Sequence, residues 1–223
     1  SYLVKVNSSN GNLINGTVNT NGYVNKLLTR GDSVFVGGNY TRFGLRTDYF
    51  SSITVGSGKA DQTMPIANGQ IRAIIPDGAG GWYVAGFFTQ IGGVARSYVA
   101  RVNSDKTINA NFNVTSNGYI YAIARDGNRL YLGGSFNQIN STARNYIAAV
   151  NSNTGVLQNW DANANSYVYT LALTTNDVLA GGIFTTIGSK WAYRFAAISK
   201  ATAGAEPGFV GYNNQVNKIS VRG

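Results

Sequence analysis

Apolar and polar residues alternate along this chain in short bursts separated by turn-forming residues. The run from Tyr119 to Ala124 (YIYAIA) has a period of two, as does the run from Tyr146 to Val150. That period marks half-buried β-strands. Each unit of the pattern predicts four short strands. The first follows an Asn-Gly or Asn-Ser turn signal (Asn21-Gly22, Asn68-Gly69, Asn117-Gly118, Asn165-Ser166). A tight turn holding Asp32, Asp77, Asp126 or Asp177 leads into the second strand, which ends on the glycines that include Gly133 and Gly134. A loop of about ten residues, a third strand, and a fourth carrying Phe112, Trp160 or Phe209 complete the unit.

Four landmark series show that the unit repeats. The glycine that ends the second strand recurs at Gly38, Gly86, Gly134 and Gly182, at intervals of 48, as the second of a doublet in three repeats and after Ala85 in the other. Two residues later stand Tyr40, Phe88, Phe136 and Phe184. The aromatic taken to open the third strand gives Tyr2, Phe50, Tyr98, Tyr146 and Phe195, and the first strand gives Val24, Ile71, Ile120, Val168 and Val216. Series that stay in step this way define a true internal repeat, and a four-stranded unit with a period in the forties is the signature of a β-propeller blade. The units read as a partial repeat over 1–21, complete repeats over 22–69, 70–118, 119–166 and 167–214, and a first strand alone over 215–223. The fold expected is therefore all-β, a single propeller domain over 1–223 with about five blades, or part of a larger ring completed by residues beyond both ends. The chain begins in mid-strand (Tyr2, Leu3, Val4) without Met or a signal segment, which reads as a mature or trimmed piece of a larger protein.

The glycine doublet is expected to let neighbouring backbones approach and to allow a positive φ at the strand exit. The recurring aromatics stand where adjacent blades pack. Trp82 and Trp160 fall at positions taken elsewhere by apolar residues, so both read as core.

The segment Leu-Tyr-Leu-Gly-Gly-Ser-Phe at 130–136, with Ala143-Arg144-Asn145 before a strand and Trp160 after it, resembles the delta-60 type of bacterial β-propeller repeat. It is also similar, more distantly, to kelch blades. The resemblance covers essentially the whole chain. It implies the propeller fold and an extracellular or cell-surface setting, and it implies no reaction, because members of that family mostly lack an assigned activity.

Composition narrows the chemistry. Gly is plentiful (28), Tyr and Phe together number 24, and only 12% of residues are charged, which suits many strands and tight turns. The net charge is +9, yet the basic residues are scattered with no run, whereas nucleic-acid binders gather them in a patch, so nucleic acid is not the expected partner. No apolar stretch is long enough to span a bilayer. There is no Cys and no His, so disulfides, thiolate or imidazole metal ligands, and Ser-His-Asp or Cys-His catalysis are excluded. No cofactor is expected. Five Asn-x-Ser/Thr sequons, at Asn7, Asn15, Asn39, Asn113 and Asn140, are about what this composition produces by chance.

Nine carboxylates remain for acid–base work, and four of them sit in the repeated turn, where an Asp caps local N–H groups. Asp48 and Asp61 are unmatched between repeats but have no evident partner carboxylate of the sort glycoside hydrolysis needs. Asp161, Asn163 and Asn165 alternate like the start of a calcium loop. Ser166 and Ala172 occupy the positions where such a loop has Gly and Glu, which rejects the site.

Two groups of residues are candidate ligand contacts. Arg46, Arg96, Arg144 and Arg194 recur at the end of the loop between second and third strands. Guanidinium groups there would hold carboxylates or sulfates of acidic glycans, or would stitch each loop to its own carbonyls, the structural role being favoured. The loop from Gly188 to Arg194 counts one residue longer than its neighbours and carries an unmatched Trp191 beside Tyr193, an aromatic pair suited to stacking on a sugar ring with Lys190 and Arg194 donating to its hydroxyls, or equally a Trp that folds over the blade edge or meets a partner domain. The function expected is non-catalytic recognition or adhesion, with glycan or cell-envelope material held by loops on one propeller face. The alternative is a structural building block of a surface fibre or layer that binds copies of itself, and a polysaccharide-active enzyme is a weaker third.

Overall fold

The computed structural model describes residues 20–42, 49–54, 60–207 and 211–221. Among them every regular element is β, and none is a helix long and apolar enough to cross a membrane. Four antiparallel three-stranded sheets recur with the period of the sequence. The first holds β1 (Tyr23–Arg30), β2 (Ser33–Asn39) and β3 (Phe50–Thr54). The second has β4 (Ile71–Pro76), β5 (Trp82–Gly86) and, after a two-stranded ribbon of β6 (Gln90–Ile91) and β7 (Val94–Ala95), the strand β8 (Val99–Val102). The third comprises β9 (Ile120–Asp126), β10 (Arg129–Gly134), the ribbon β11 (Gln138–Ile139) and β12 (Thr142–Ala143), and β13 (Ile147–Asn151). The fourth has β14 (Val168–Leu173), β15 (Asp177–Gly182), the ribbon β16 (Thr186–Ile187) and β17 (Lys190–Trp191), and β18 (Phe195–Ser199). In every sheet the glycine-ended strand lies in the middle.

The chain divides into two compact units, residues 1–96 with 101–108, and residues 97–100 with 109–223. In the first, β1 and β2 pack on β4, and in the second β9 and β10 pack on β14. The doublet makes this packing close. A Cβ on Gly133 would lie 2.8 Å from Val168 Cγ1, and one on Gly37 would run into Ile71 and Ile74. The second glycine of each pair meets backbone instead: a Cβ on Gly134 would strike the Tyr119 carbonyl, and one on Gly182 that of Tyr167. None of the doublet glycines has a positive φ, contrary to the expectation from sequence. They are required for space, not for left-handed backbone. Tyr40, Phe88, Phe136 and Phe184 are fully buried, as are Trp82, Phe112 and Trp160.

The expected fourth strand reduces to single bridges: Ile53 with Ala60, Val102 with Ile108, Val150 with Leu157, and Ile198 with Ala205. A side-chain cap turns the backbone before a ladder extends, with Asn151 Oδ1 accepting the N–H of Asn153 and Thr154. The aromatic then anchors the segment by itself, Trp160 donating from Nε1 to the Ser199 carbonyl at 3.0 Å. The loop between second and third strands is in turn more regular than expected. Each ribbon is a hairpin with two left-handed residues at its turn, Gly92-Gly93, Asn140-Ser141 and Gly188-Ser189, as a type I′ turn requires. Buried Ile91, Ile139 and Ile187 fasten the ribbons to the sheets.

Register corrects one landmark series. Gly37 pairs with Phe50, Gly133 with Ile147, and Gly181 with Phe195. Phe195 is thus equivalent to Ile147, and Arg194 to Tyr146, each donating its N–H two residues past the doublet and accepting from the doublet's second glycine. The 188–194 loop is therefore no longer than 140–146, and the shorter loop belongs to the first repeat. At the far end, the described residues of 215–223 do not form the expected first strand. Val216 still packs on Gly181 and donates its N–H to the Gly182 carbonyl. The partial repeat at 1–21, apart from its last two residues, and Phe209 lie outside the described residues.

The Asn of each predicted turn does more than turn the chain. Asn117 Oδ1 accepts the N–H of both Asn137 and Gln138 at 3.0 Å, Asn68 and Asn165 clamp their ribbons the same way, and Asn21 Oδ1 accepts the N–H of Thr41 and Arg42. Asn117→Ala is expected to lower stability by about 1–3 kcal/mol, because two ribbon donors lose their partner together. Faster amide exchange at Asn137 and Gln138 than in the rest of the third repeat would identify the clamp as the cause.

Candidate functional site

The ribbon of the fourth repeat presents the strongest unpaired feature of the second unit. In it β16 buries Ile187, the cross-strand partner of Lys190, while both residues of β17, Lys190 and Trp191, are exposed. Trp191 is 72% exposed and Tyr193 is 53% exposed, and their rings lie 6.0 Å apart at an interplanar angle of 23°. The nearly parallel, stacked rings make an exposed aromatic step. Between them Ala192 is buried and ties the ribbon to the core. Tyr193 accepts the N–H of Tyr212 at 2.9 Å through its carbonyl, which fixes the step from behind. Tyr212, itself exposed, meets Phe195 edge to face. The equivalent of Trp191 in the second and third ribbons is Ala95 or Ala143, so the ribbon fold does not require an aromatic there.

Among the described residues, each arginine of the series is held by carbonyls of its own loop or repeat. Arg96 and Arg144 are equivalent, each donating from Nη1 to the carbonyl of the residue before it at 2.8 Å. Arg144 also lies 3.5 Å from Asp161 Oδ2, with its side chain only 13% exposed. Both stitch their own ribbons. Their equivalent in the fourth repeat is Ala192, so Arg194 is not a member of the series. Arg194 takes a left-handed φ of 76° and donates from Nη1 to the Ile183 carbonyl. Arg46 lies outside the described residues. Of the predicted contacts, the structure groups Lys190, Trp191 and Tyr193 on one ribbon and turns Arg194 and Arg144 back into their loops.

Six of the described carboxylates, Asp61, Asp77, Asp105, Asp126, Asp161 and Asp177, are engaged locally. Burial by itself would raise the Asp61 carboxyl, but the Lys106 hydrogen bond and those of the Thr63 backbone and hydroxyl hold it down at about 2. The partner of Asp61 is thus a cation, Lys106 at 2.6 Å, and not a second carboxylate. Asp48 lies outside the described residues. For Asp77 burial also pushes upward, and the N–H groups of Ala79 and Gly81 together with Arg101 outweigh it, leaving the group below the usual carboxylate range. The oxygens of the rejected calcium segment are also occupied: Asp161 accepts the N–H of Asn163, and Asn163 accepts from Asn145. A cleft of about 330 Å³ lies between Asp126, Arg129, Tyr131, Gln158 and Lys200. Its cations are already used, Lys200 on Asp126 and the Thr174 carbonyl, and Arg129 on Gln158 and the Lys200 carbonyl.

Sequence reading missed a second aromatic group. Tyr98 and Tyr119 meet at 5.3 Å between ring centroids, Tyr146 and Tyr167 at 5.7 Å, and Tyr121 and Tyr169 at 5.5 Å. The signal was present in the motifs YIY and YVY, 48 residues apart, where only the central apolar residue had been used as a landmark.

Neither a protein-family model nor a curated protein matches the chain. Among solved structures it is similar to the computationally designed Ika4 protein, with a TM-score of 0.50 and 13% identity over 73% of this chain and 87% of that one. It is similar also to the computationally designed Ika8 protein, with a TM-score of 0.52 and 14% identity over 83% of this chain and 49% of that one. At such identities the likeness concerns the all-β fold alone.

Proposed function

We propose that the repeats are blades of a β-propeller of the delta-60 type, carried by an extracellular or cell-surface protein, and that the module recognises glycan without catalysis. Three features support the blade reading: the interval of 48, the antiparallel sheet of each repeat, and the face-to-face packing over the doublet glycines. The observation that carries the glycan reading is the exposed step of Trp191 and Tyr193. An aromatic face packs against the C–H face of a pyranose ring, and Lys190 beside it donates to ring hydroxyls.

A glycan-array screen of the chain beside Trp191→Ala tests this. Binding by the parent and a loss of about tenfold or more in the variant are expected, an exposed aromatic contact being worth about 1 kcal/mol or somewhat more. A blank array from folded protein that self-associates at higher concentration would overturn recognition and leave the building-block role.

A further inference from the structure

The segment after the fourth repeat carries a signature that the chain shows in one other place. Val24-Asn25-Lys26 and Arg30-Gly31, which run through β1 into its turn, recur four intervals of 48 later as Val216-Asn217-Lys218 and Arg222-Gly223. The first strands between them open differently, on Ile71-Arg72-Ala73, Ile120-Tyr121-Ala122 and Val168-Tyr169-Thr170, and have Asp77, Asp126 or Thr174 at the place of Arg30. The two segments therefore share more than the packing pattern of the repeat. β1 pairs with β2 from Tyr23 with Asn39 to Arg30 with Ser33, so this signature is one that takes β2 as its antiparallel neighbour.

On one side the later segment already sits as a first strand. A Cβ on Gly181 would meet Val216, as one on Gly37 would meet Ile71 and one on Gly133 Val168, so the contact between successive repeats continues past the fourth. Ile219 donates its N–H to Thr170 Oγ1 at 3.2 Å, beside the bond from Val216 to Gly182. Yet the described residues 211–221 form no ladder, and Gln215, Asn217, Lys218, Ser220 and Val221 are exposed. β1 shows the complementary defect. It has its ladder but buries no residue, whereas β4, β9 and β14 each bury their opening apolar residue completely. Leu27 is 46% exposed where Ile74 and Ile123 are buried. Among the described residues, 216–221 has the stacking contact without the ladder, and β1 has the ladder without a buried residue.

We propose that 216–221 of one copy replaces β1 beside β2 of a second copy, joining copies head to tail. The exchange keeps the ladder, since one first strand takes the place of another with the same Val-Asn-Lys opening. It adds the stacking on Gly181, so the repeat order of one copy passes into that of the next. By the register of β1, Ile219 faces Val36, Ser220 faces Phe35 and Val221 faces Val34 of the second copy. Main-chain hydrogen bonds carry such a strand addition. The two surfaces differ, so the contact is heterologous and extends into oligomers instead of stopping at a dimer. Trp191 and Tyr193 are not among the paired residues, so this association goes beyond the glycan reading and does not depend on it.

The full chain, refolded from denaturant at rising concentration, is expected to sediment as a series of oligomers. Ser220→Pro/Val221→Pro is expected to raise the concentration they require by at least about tenfold, because successive N–H groups of a strand point to opposite sides and one of the two removed faces β2. Both residues are exposed and outside any ladder, so the melting temperature of the monomer should hold. The chain has no cysteine, so Val221→Cys in one preparation and Val34→Cys in another mark the two surfaces. Refolded together and oxidised, they are expected to give the mixed disulfide in clear excess over either homodimer, facing Cα atoms of an antiparallel pair lying about 4.5–5.5 Å apart. A chain that stays monomeric at every concentration would overturn the proposal. Oligomers that persist unchanged in the double-proline variant, or a mixed disulfide no more abundant than random pairing gives, would overturn it too and assign the association to another surface. Binding on the glycan array is read separately and stands or falls apart from these results.

Discussion

Gly134→Ala is expected to destabilise the protein by at least about 3 kcal/mol, the upper end of what forcing extra volume into a packed core costs. The added methyl has nowhere to go. It would strike the Tyr119 carbonyl and lie about 3 Å from Phe136 Cδ1 and Ile120 Cα. Two of those three neighbours are backbone of the paired first strand, and Phe136 is fully buried. Moving β9 away would break the ladder that Gly134 makes with Ile120 and would disturb the N–H that Ser135 donates to Tyr119. Gly127→Ala is the informative comparison, since Gly127 has a φ of 53° and open space around it. Its cost is conformational and should stay near 1 kcal/mol. Denaturant unfolding of the two variants would separate them. Equal losses would mean that the doublet serves backbone conformation and not close approach.

That distinction also explains what was legible in the sequence. The interval of 48, the middle position of the glycine-ended strand and the buried aromatics two residues beyond it all follow from local composition, because packing fixes those residue types. Register was less legible. Tyr146 and Phe195 are both aromatic and both open a strand region, yet hydrogen bonding places Tyr146 with Arg194 and Phe195 with Ile147. A left-handed residue at that position (Tyr98, Tyr146 and Arg194, with φ of 69°, 64° and 76°) leaves no trace in residue type, since the fold imposes it on side chains that do not favour it. The ribbons were legible in principle, through Gly-Gly, Asn-Ser and Gly-Ser flanked by isoleucine. At the candidate site, the exposed Trp191 and Tyr193 followed from their lack of counterparts. The arginines misled because a shared residue type suggested a shared position, when Ala192 holds the place of Arg96 and Arg144.

The same rule, that recurrence marks packing and singularity marks contact, sets the two tryptophans of the second unit apart. Trp160→Ala is expected to cost about 3–5 kcal/mol, the range for emptying a buried aromatic site. Trp160 stands where Phe112 stands in the preceding repeat, is buried, and packs edge to face on Tyr131 at 5.0 Å. Its Nε1 holds the Ser199 carbonyl, so truncation opens a cavity and orphans an acceptor at once. Trp160→Phe should recover most of the loss, since Phe fills the equivalent place in that repeat and only the indole hydrogen bond is then missing. Trp191→Ala, in contrast, removes a ring that is mostly in water and should leave the unfolding midpoint within the small shift typical of surface substitutions, about 0.5 kcal/mol. Thermal melts of the three variants decide it. A Trp191→Ala loss as large as that of Trp160→Ala would make the exposed ring a structural support, and the stacked aromatic pair on the fourth ribbon would no longer stand as a place for a ligand.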